Sequence, residues 1–155
     1  MKLNVDAGFN IDVGIGSTGA AIHDDRGHFP SASRRGIPFV SEPATAEAHA
    51  LRDGPILAGQ IGCNRVEVNF DCMEVIDVMM NGGNSLGPAA TIFEECTLLC
   101  RNFLVVVFAH SPREANLAAH ALARHTEGSV STVWHEEPPD FLVSILVNDV
   151  TIVDV

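Results

Sequence analysis

The chain has 155 residues, a length typical of one globular domain with one hydrophobic core. With 46% hydrophobic and 19% charged residues, its composition excludes an intrinsically disordered protein. The formal net charge of -11 and the nine Lys and Arg residues argue against tight, nonspecific binding to nucleic acid, because phosphate contacts need clustered cations. A local site in which metal ions neutralise both partners is compatible with this charge.

The cysteines and the start of the chain predict an intracellular protein. The cysteines form no CxxC motif and have no histidine pair beside them at zinc spacing, so we interpret them as small buried thiols. The start, MKLNVDAG, lacks the apolar region of a signal peptide, and no apolar run approaches the roughly 20 residues that span a bilayer. We therefore expect a cytoplasmic or nuclear protein with no membrane partner.

The first third of the chain predicts three antiparallel strands. Residues 2–9 alternate in polarity and form the first strand, and residues 14–23 and 28–35 form a hairpin around a turn. Pro30 has no amide donor for a ladder hydrogen bond, which predicts that the third strand lies at the edge of the sheet.

Helices and strands alternate in the rest of the chain. A helix is expected from Ser41 toward Gly62, with a bend or break at Pro55, because proline removes a helical hydrogen bond. The elements expected after it are a strand over 66–70, helices over 72–80 and 88–102, a strand over 103–109 buried on both faces, a helix opened by the capping box Ser111–Glu114 and ending near His125, and a short tail helix within 140–149 that packs back on the domain.

This order predicts an α/β fold. Three antiparallel strands followed by two parallel strands give a five-stranded mixed sheet with helices on its faces. We expect one domain over residues 1–127 and a C-terminal extension over 128–155 that packs on the same domain.

Three isolated carboxylates, Asp6, Glu47 and Asp71, each lie near the end or the start of a predicted element. A carboxylate that ends an apolar strand is costly unless something compensates its charge. Convergence of all three on a shared divalent cation is the best explanation, and it indicates metal-assisted cleavage of a phosphodiester. Each also has an ordinary explanation, as a solvent-facing strand end, a helix first-turn carboxylate or an N-cap.

Four stretches in order carry a resemblance to a known family. They read KLNVD, AEAHAL, DCMEV and REANLAAHALA in the sequence, at residues 2–6, 46–51, 71–75 and 113–123. Together they resemble the type 1 ribonuclease H fold, and above all the retrotransposon-derived ribonuclease H-like domain abundant in plant genomes. The resemblance covers almost the whole chain, since the tail PPDFL also matches.

The resemblance implies two magnesium or manganese ions. Asp6 would bridge both ions, Glu47 would bind the ion near the attacking water, and Asp71 would complete that shell. His110 resembles the mobile loop histidine that aids proton transfer or product release. His120 occupies the fourth-carboxylate position, and because histidine contributes no negative charge, we expect the second ion to bind less tightly.

Two functions follow as expectations. The first is a magnesium-dependent endonuclease that cleaves the RNA strand of RNA–DNA hybrids, which the three carboxylates favour. The second is a domesticated, weakly active or inactive module that binds a protein partner through its acidic surface or apolar tail. The net charge and the histidine at position 120 favour the second.

Overall fold

The computed structural model describes residues 1–26, 28–81, 87–124 and 130–153, with side chains described through residue 146. The elements are β1 (Lys2–Asn10), β2 (Ile15–His23), β3 (Ser31–Ile37), α1 (Pro43–Gln60), β4 (Arg65–Phe70), α2 (Met73–Met80), α3 (Ala90–Cys100), β5 (Val105–His110), a 3₁₀ turn (Arg113–Ala115), α4 (Leu117–Arg124), β6 (Ser131–His135) and α5 (Asp140–Val153).

The strands form one mixed sheet in the order β5-β4-β1-β2-β3-β6. Strands β1, β2 and β3 are antiparallel, whereas β4 and β5 run parallel to β1. The predicted fold class is therefore confirmed, with six strands in the described part of the chain rather than five.

The sixth strand, β6, pairs with β3, the strand that was expected at the edge of the sheet. It pairs antiparallel with β3 from Ser31 opposite His135 to Arg35 opposite Ser131. The prediction of an edge position was wrong because Pro30 precedes the first residue of β3, so its missing amide removes no bond from the ladder.

Strand β5 is the outermost strand on the other side of the sheet, next to β4. Val105 is 41% exposed and Val107 is 51% exposed, whereas Val106 and Phe108 pack against the core. The prediction of a strand buried on both faces was therefore wrong. An apolar run of β-branched residues is typical of a strand, but its position in the sheet depends on contacts made elsewhere in the chain.

The core has one layer on each face of the sheet. On one face, β1 packs against α1 and α1 packs against α3, with fully buried side chains such as Leu3, Val5 and Leu51. On the other face, Leu122 of α4 and Leu142 of α5 are fully buried against small residues of β2 and β3. The expected tail helix is confirmed and extends from Asp140 to Val153. Within the described residues, every helix is too short or too polar to cross a bilayer.

Helix α1 continues through Pro55, so the break that was one of the two expected outcomes does not occur. Proline at position 55 cannot donate to the carbonyl of Leu51, one turn earlier. The thiol of Cys96, on α3, donates to that carbonyl at 3.5 Å. A side chain from another helix thus provides the hydrogen bond that proline removes, which keeps the buried acceptor satisfied.

The predicted capping box does not form. The Ser111 hydroxyl donates to the carbonyl of Pro112 at 3.4 Å, and the chain makes the 3₁₀ turn before α4 begins at Leu117. The segment is therefore a turn and a short helix with Asn116 between them, rather than one helix. The end expected near His125 lies outside the described residues.

Helix α1 approaches β1 closely at Gly54, and substitution there should destabilise the fold. A Cβ added to Gly54 would lie 2.6 Å from Val5 Cγ1 and 2.8 Å from Leu3 Cδ2, both in the core. We expect Gly54→Ala to lower the free energy of unfolding by about 1–3 kcal/mol, as overpacking does. Urea denaturation measures the change.

The matched control is Gly59→Ala on the same helix, where an added Cβ has no atom within 4 Å. Because alanine has the higher helix propensity, this variant should be neutral or more stable by up to about 1 kcal/mol. Equal effects of the two substitutions would contradict close packing at Gly54.

Candidate active site

Asp6 lies where β1 separates from β4. The two strands pair in parallel from Lys2 opposite Glu67 to Asn4 opposite Asn69. Asp6 follows two residues later and is 6% exposed, and Asp71 directly follows β4. Asp71 thus lies at the carboxyl end of β4, and Asp6 lies within β1 just beyond the part of β1 that pairs with β4. Ligands of open α/β sheets bind at the carboxyl ends of parallel strands.

Glu47 reaches this region from α1. Its neighbours Ala46 and Ala48 are fully buried, whereas Glu47 is partly exposed. The Cys72 thiol donates to Glu47 Oε2 at 3.5 Å. Because Cys72 directly follows Asp71, this contact links the carboxylate of α1 to the end of β4.

The three carboxylates share one electrostatic environment. Burial raises the pKa of Asp6, the charge of Asp71 raises it further, and a hydrogen bond from His120 partly opposes the increase. Burial also raises the pKa of Glu47; the Cys72 thiol opposes this increase, and the charges of Asp71, Glu74 and Asp6 add to it. The folded chain therefore holds Asp6, Glu47 and Asp71 close enough for their negative charges to oppose one another.

The chemistry of these side chains fits a hard divalent cation. Carboxylate oxygens are the ligands that magnesium and manganese prefer, and a cation would relieve the repulsion that raises both pKa values. Across residues 1–26, 28–81, 87–124 and 130–146, however, no three His, Cys, Asp or Glu side chains meet in an arrangement ready to hold a metal. The ligand set of Asp6, Glu47 and Asp71 therefore stays a prediction.

His120, at the position expected for a fourth carboxylate, contacts Asp6 directly. Its Nδ1 lies 2.9 Å from Asp6 Oδ2. An ionised carboxylate only accepts hydrogen bonds, so Nδ1 carries the proton and donates it. Nη2 of Arg113 lies 3.0 Å from His120 Nε2 and 3.5 Å from Nδ1. An arginine thus lies against the histidine that contacts Asp6.

Two residues bring α4 to this position. Gly19, paired with Asp6 across β1 and β2, has no side chain; an added Cβ would collide with the carbonyl oxygen of Ala119. The side-chain amide of Asn116, which is fully buried, donates to the carbonyl of Val5 at 2.8 Å. Close approach at Gly19 and this anchor at Asn116 place His120 beside Asp6.

His110 is the exposed last residue of β5 and lies opposite Phe70 of β4. Its Nε2 lies 3.2 Å from the carbonyl oxygen of Asp71, so Nε2 carries a proton and donates it. The structure therefore places His110 beside Asp71, whereas its expected catalytic role stays a prediction.

Sequence reasoning missed the partners of the predicted site residues. Cys72 was interpreted only as a buried thiol, although it directly follows Asp71. Arg113 and Asn116 lie in the REAN motif, seven and four residues before His120, but the motif does not show which side chains they contact. Gly19 lies in a glycine-rich strand, where nothing local indicates the approach of a helix.

Comparison with known proteins identifies the family. Residues 4–126 match the protein family described as Reverse transcriptase-like, which is most of the chain. The chain belongs to the reverse transcriptase-like family. No curated protein sequence matches it.

Solved structures of ribonucleases H share the fold of this reverse transcriptase-like chain. RNase H1 from Halobacterium salinarum is 20% identical with a TM-score of 0.74, over 79% of this chain and 93% of that one. The N-terminal RNase H domain of a Mycobacterium tuberculosis protein is 22% identical with a TM-score of 0.73, over 79% and 89% of the two chains. LC11-RNase H1, solved in complex with an RNA/DNA hybrid, is 22% identical with a TM-score of 0.72, over 81% and 94%.

These similarities confirm the ribonuclease H-like fold that the sequence motifs predicted. At 20–22% identity they establish the fold alone. The expected origin in a plant retrotransposon stays a prediction.

The raised pKa of Glu47 predicts how stability depends on pH. A folded pKa above the ordinary value of 4.5 means that the folded state binds this proton more readily than the unfolded state. The stabilisation from the protonated form is complete below that value and is lost as pH rises through the folded pKa. Without metal, Glu47→Gln should therefore be more stable than the wild type at neutral pH, by about 0.2–1 kcal/mol for a partly screened repulsion.

Thermal unfolding of the metal-free protein, followed at neutral pH and below pH 4, checks this prediction. The difference between wild type and Glu47→Gln should vanish at the acidic pH. As a control, Glu94→Gln makes the same change on the exposed face of α3 and should leave the neutral-pH midpoint nearly unchanged. A Glu47→Gln variant less stable than wild type at neutral pH would contradict the repulsion.

Proposed function

We propose that this chain is a metal-dependent endonuclease that cleaves the RNA strand of RNA–DNA hybrids, with magnesium or manganese as its cofactor. The observation that carries the proposal is that the negative charges of Asp6, Glu47 and Asp71 oppose one another near the point where β1 and β4 stop pairing. The fold supports it, because the chain shares it with RNases H1, one of which was solved with an RNA/DNA hybrid.

The three carboxylates have the role of cation ligands in this proposal. A divalent cation supplies an activated water and stabilises the negative charge that develops on the departing 3′ oxygen. Burial of Asp6 and the hydrogen bond from His120 hold its carboxylate in one orientation. Glu47 and Asp71 would supply the further oxygen donors that a hard cation prefers.

His110 has the role of a proton donor near the departing group. It is exposed at the end of β5, and its Nε2–H is directed to the carbonyl oxygen of Asp71 at 3.2 Å. A contact with one exposed backbone acceptor is readily exchanged, so the same N–H can donate to a leaving oxygen. Histidine is suited to this step because its ordinary pKa lies near neutral pH.

The substrate would be recognised mainly by shape. A hybrid duplex presents 2′-hydroxyls in a wide minor groove, which an enzyme reads without a strongly basic surface. With a formal net charge of -11, the chain should bind a hybrid weakly and with a requirement for divalent cations. We therefore expect cleavage to depend strictly on the divalent cation.

Cleavage of a labelled RNA–DNA hybrid tests the proposal. The wild type should cleave the RNA strand when magnesium or manganese is added and should stop when the ion is chelated. Asp6→Asn removes a ligand charge and should lower the rate by at least about 100-fold, the upper end of the loss for residues that only support a metal ligand. Asp12→Asn, the same change in an exposed turn, should leave the rate unchanged.

Two results would contradict the nuclease proposal. One is the absence of cleavage by a folded wild type with either ion. The other is equal cleavage by wild type and Asp6→Asn, which would point to a contaminating nuclease.

The charge supports a second candidate function. A chain with 20 acidic and nine basic residues could serve as an inactive module that binds a basic protein partner. Hybrid binding without metal, measured by fluorescence anisotropy at low and moderate salt, separates the candidates when it is combined with the cleavage assay. No binding at either salt and no cleavage with metal would favour the protein-binding module; cleavage that requires metal would exclude an inactive one.

A further inference from the structure

Asp6, His120 and Arg113 form a chain of contacts that runs from the buried sheet to the surface. Asp6 Oδ2 accepts a hydrogen bond from His120 Nδ1–H at 2.9 Å. Nη2 of Arg113 lies 3.0 Å from His120 Nε2 and 3.5 Å from Nδ1. Because one guanidinium nitrogen is near both ring nitrogens, Arg113 lies against the face of the imidazole rather than beyond Nε2 in the ring plane.

This arrangement places a permanent positive charge against the histidine that contacts Asp6. Arginine is always protonated in proteins, so the charge of Arg113 does not depend on conditions. His120 lies between the two residues, with its Nδ1–H on Asp6 and its ring face against the guanidinium. The side of Asp6 at Oδ2 is therefore occupied by a hydrogen-bond donor and an adjacent cation.

The same arrangement disfavours the binding of a second metal ion. Oδ2 of Asp6 already accepts a hydrogen bond from His120, so only part of the capacity of this oxygen would remain for an ion on that side. A divalent cation beside His120 would also be repelled by Arg113, whose charge lies within a few ångströms. Magnesium is often bound by one or two carboxylates with waters and substrate phosphate, so one ion suffices for the donor set that remains.

We infer that His120 and Arg113 together take the place of a second metal ion and that this chain binds a single divalent cation. Arg113 is in this account a positioning residue, which acts on Asp6 through His120. The inference rests on the proposed function, because it concerns the metal site of that reaction. It assigns Arg113 a role beyond its place in a motif, and it predicts a stoichiometry.

Titration of metal-free protein with Mn²⁺ tests the stoichiometry, with free Mn²⁺ measured by electron paramagnetic resonance and heats by calorimetry. The wild type should bind one Mn²⁺ per chain. His120→Asp replaces the hydrogen-bond donor with a carboxylate and should bind two. Zero or two ions on the wild type, or one ion on His120→Asp, would overturn the inference.

The contribution of Arg113 is measured in the His120→Asp background, where the second ion binds. Adding Arg113→Met should raise the affinity for the second Mn²⁺ by about two- to fivefold, because a partly screened repulsion is removed. Adding Arg124→Met instead removes another exposed guanidinium from the following helix and should leave that affinity unchanged. Equal affinities in the Arg113→Met and Arg124→Met backgrounds would remove Arg113 from the inference.

A metal-free readout checks the hydrogen bond itself. Long-range ¹H–¹⁵N spectra of the wild type, with the His120 ring assigned by its absence in His120→Asp, should show Nδ1 protonated. An unprotonated Nδ1 would overturn the inference. Failure of the nuclease proposal can be distinguished from failure of this inference. A wild type that binds one Mn²⁺ but does not cleave a hybrid contradicts the nuclease proposal and leaves this inference intact.

Discussion

The site depends on one hydrogen bond, from the buried amide of Asn116 to the carbonyl of Val5. Val5 lies one residue beyond the last residue of β1 that pairs with β4, where the backbone hydrogen bonds between these two strands end. A buried backbone carbonyl needs a donor, and Asn116 provides it from the segment just before α4. The same contact fixes the start of α4 against the sheet. One side chain thus allows two parallel strands to separate and places His120 over the gap between them.

The acidic side chains near this gap destabilise the metal-free fold. Burial and mutual repulsion raise the pKa values of Asp6 and Glu47, so the ionised forms present at neutral pH are disfavoured. The surrounding contacts hold them nevertheless: the Cys72 thiol on Glu47, and His120 on Asp6. Such opposition between stability and chemistry is typical of sites that bind cations or perform catalysis. It is the physical reason to interpret these carboxylates as functional rather than incidental.

Local patterns in the sequence were sufficient for most elements and for the location of Asp71 at the end of β4, whereas Asp6 lies within β1, which continues to Asn10. Alternating polarity predicted β1 and β4, the start at Ser41 predicted α1, and helical spacing predicted α3. The errors share a cause, which is dependence on contacts between remote parts of the chain. The edge position of β5 depends on strand order, and β6, which pairs with β3, lies about 100 residues further along the chain. The spacing of Arg113 and His120 in the sequence does not predict their contact either, because a 3₁₀ turn rather than one continuous helix separates the two residues.

The unbroken helix α1 couples two positions that belong to different helices. Pro55 leaves the Leu51 carbonyl without its usual donor, and the Cys96 thiol supplies one. A residue other than proline at position 55 would donate to Leu51 itself, and the thiol would then be redundant. Substitutions at 55 and 96 should therefore show epistasis: loss of the thiol is harmful in the presence of proline and better tolerated in its absence. By this reasoning, a relative without proline at 55 should tolerate more substitutions at position 96 than this chain does.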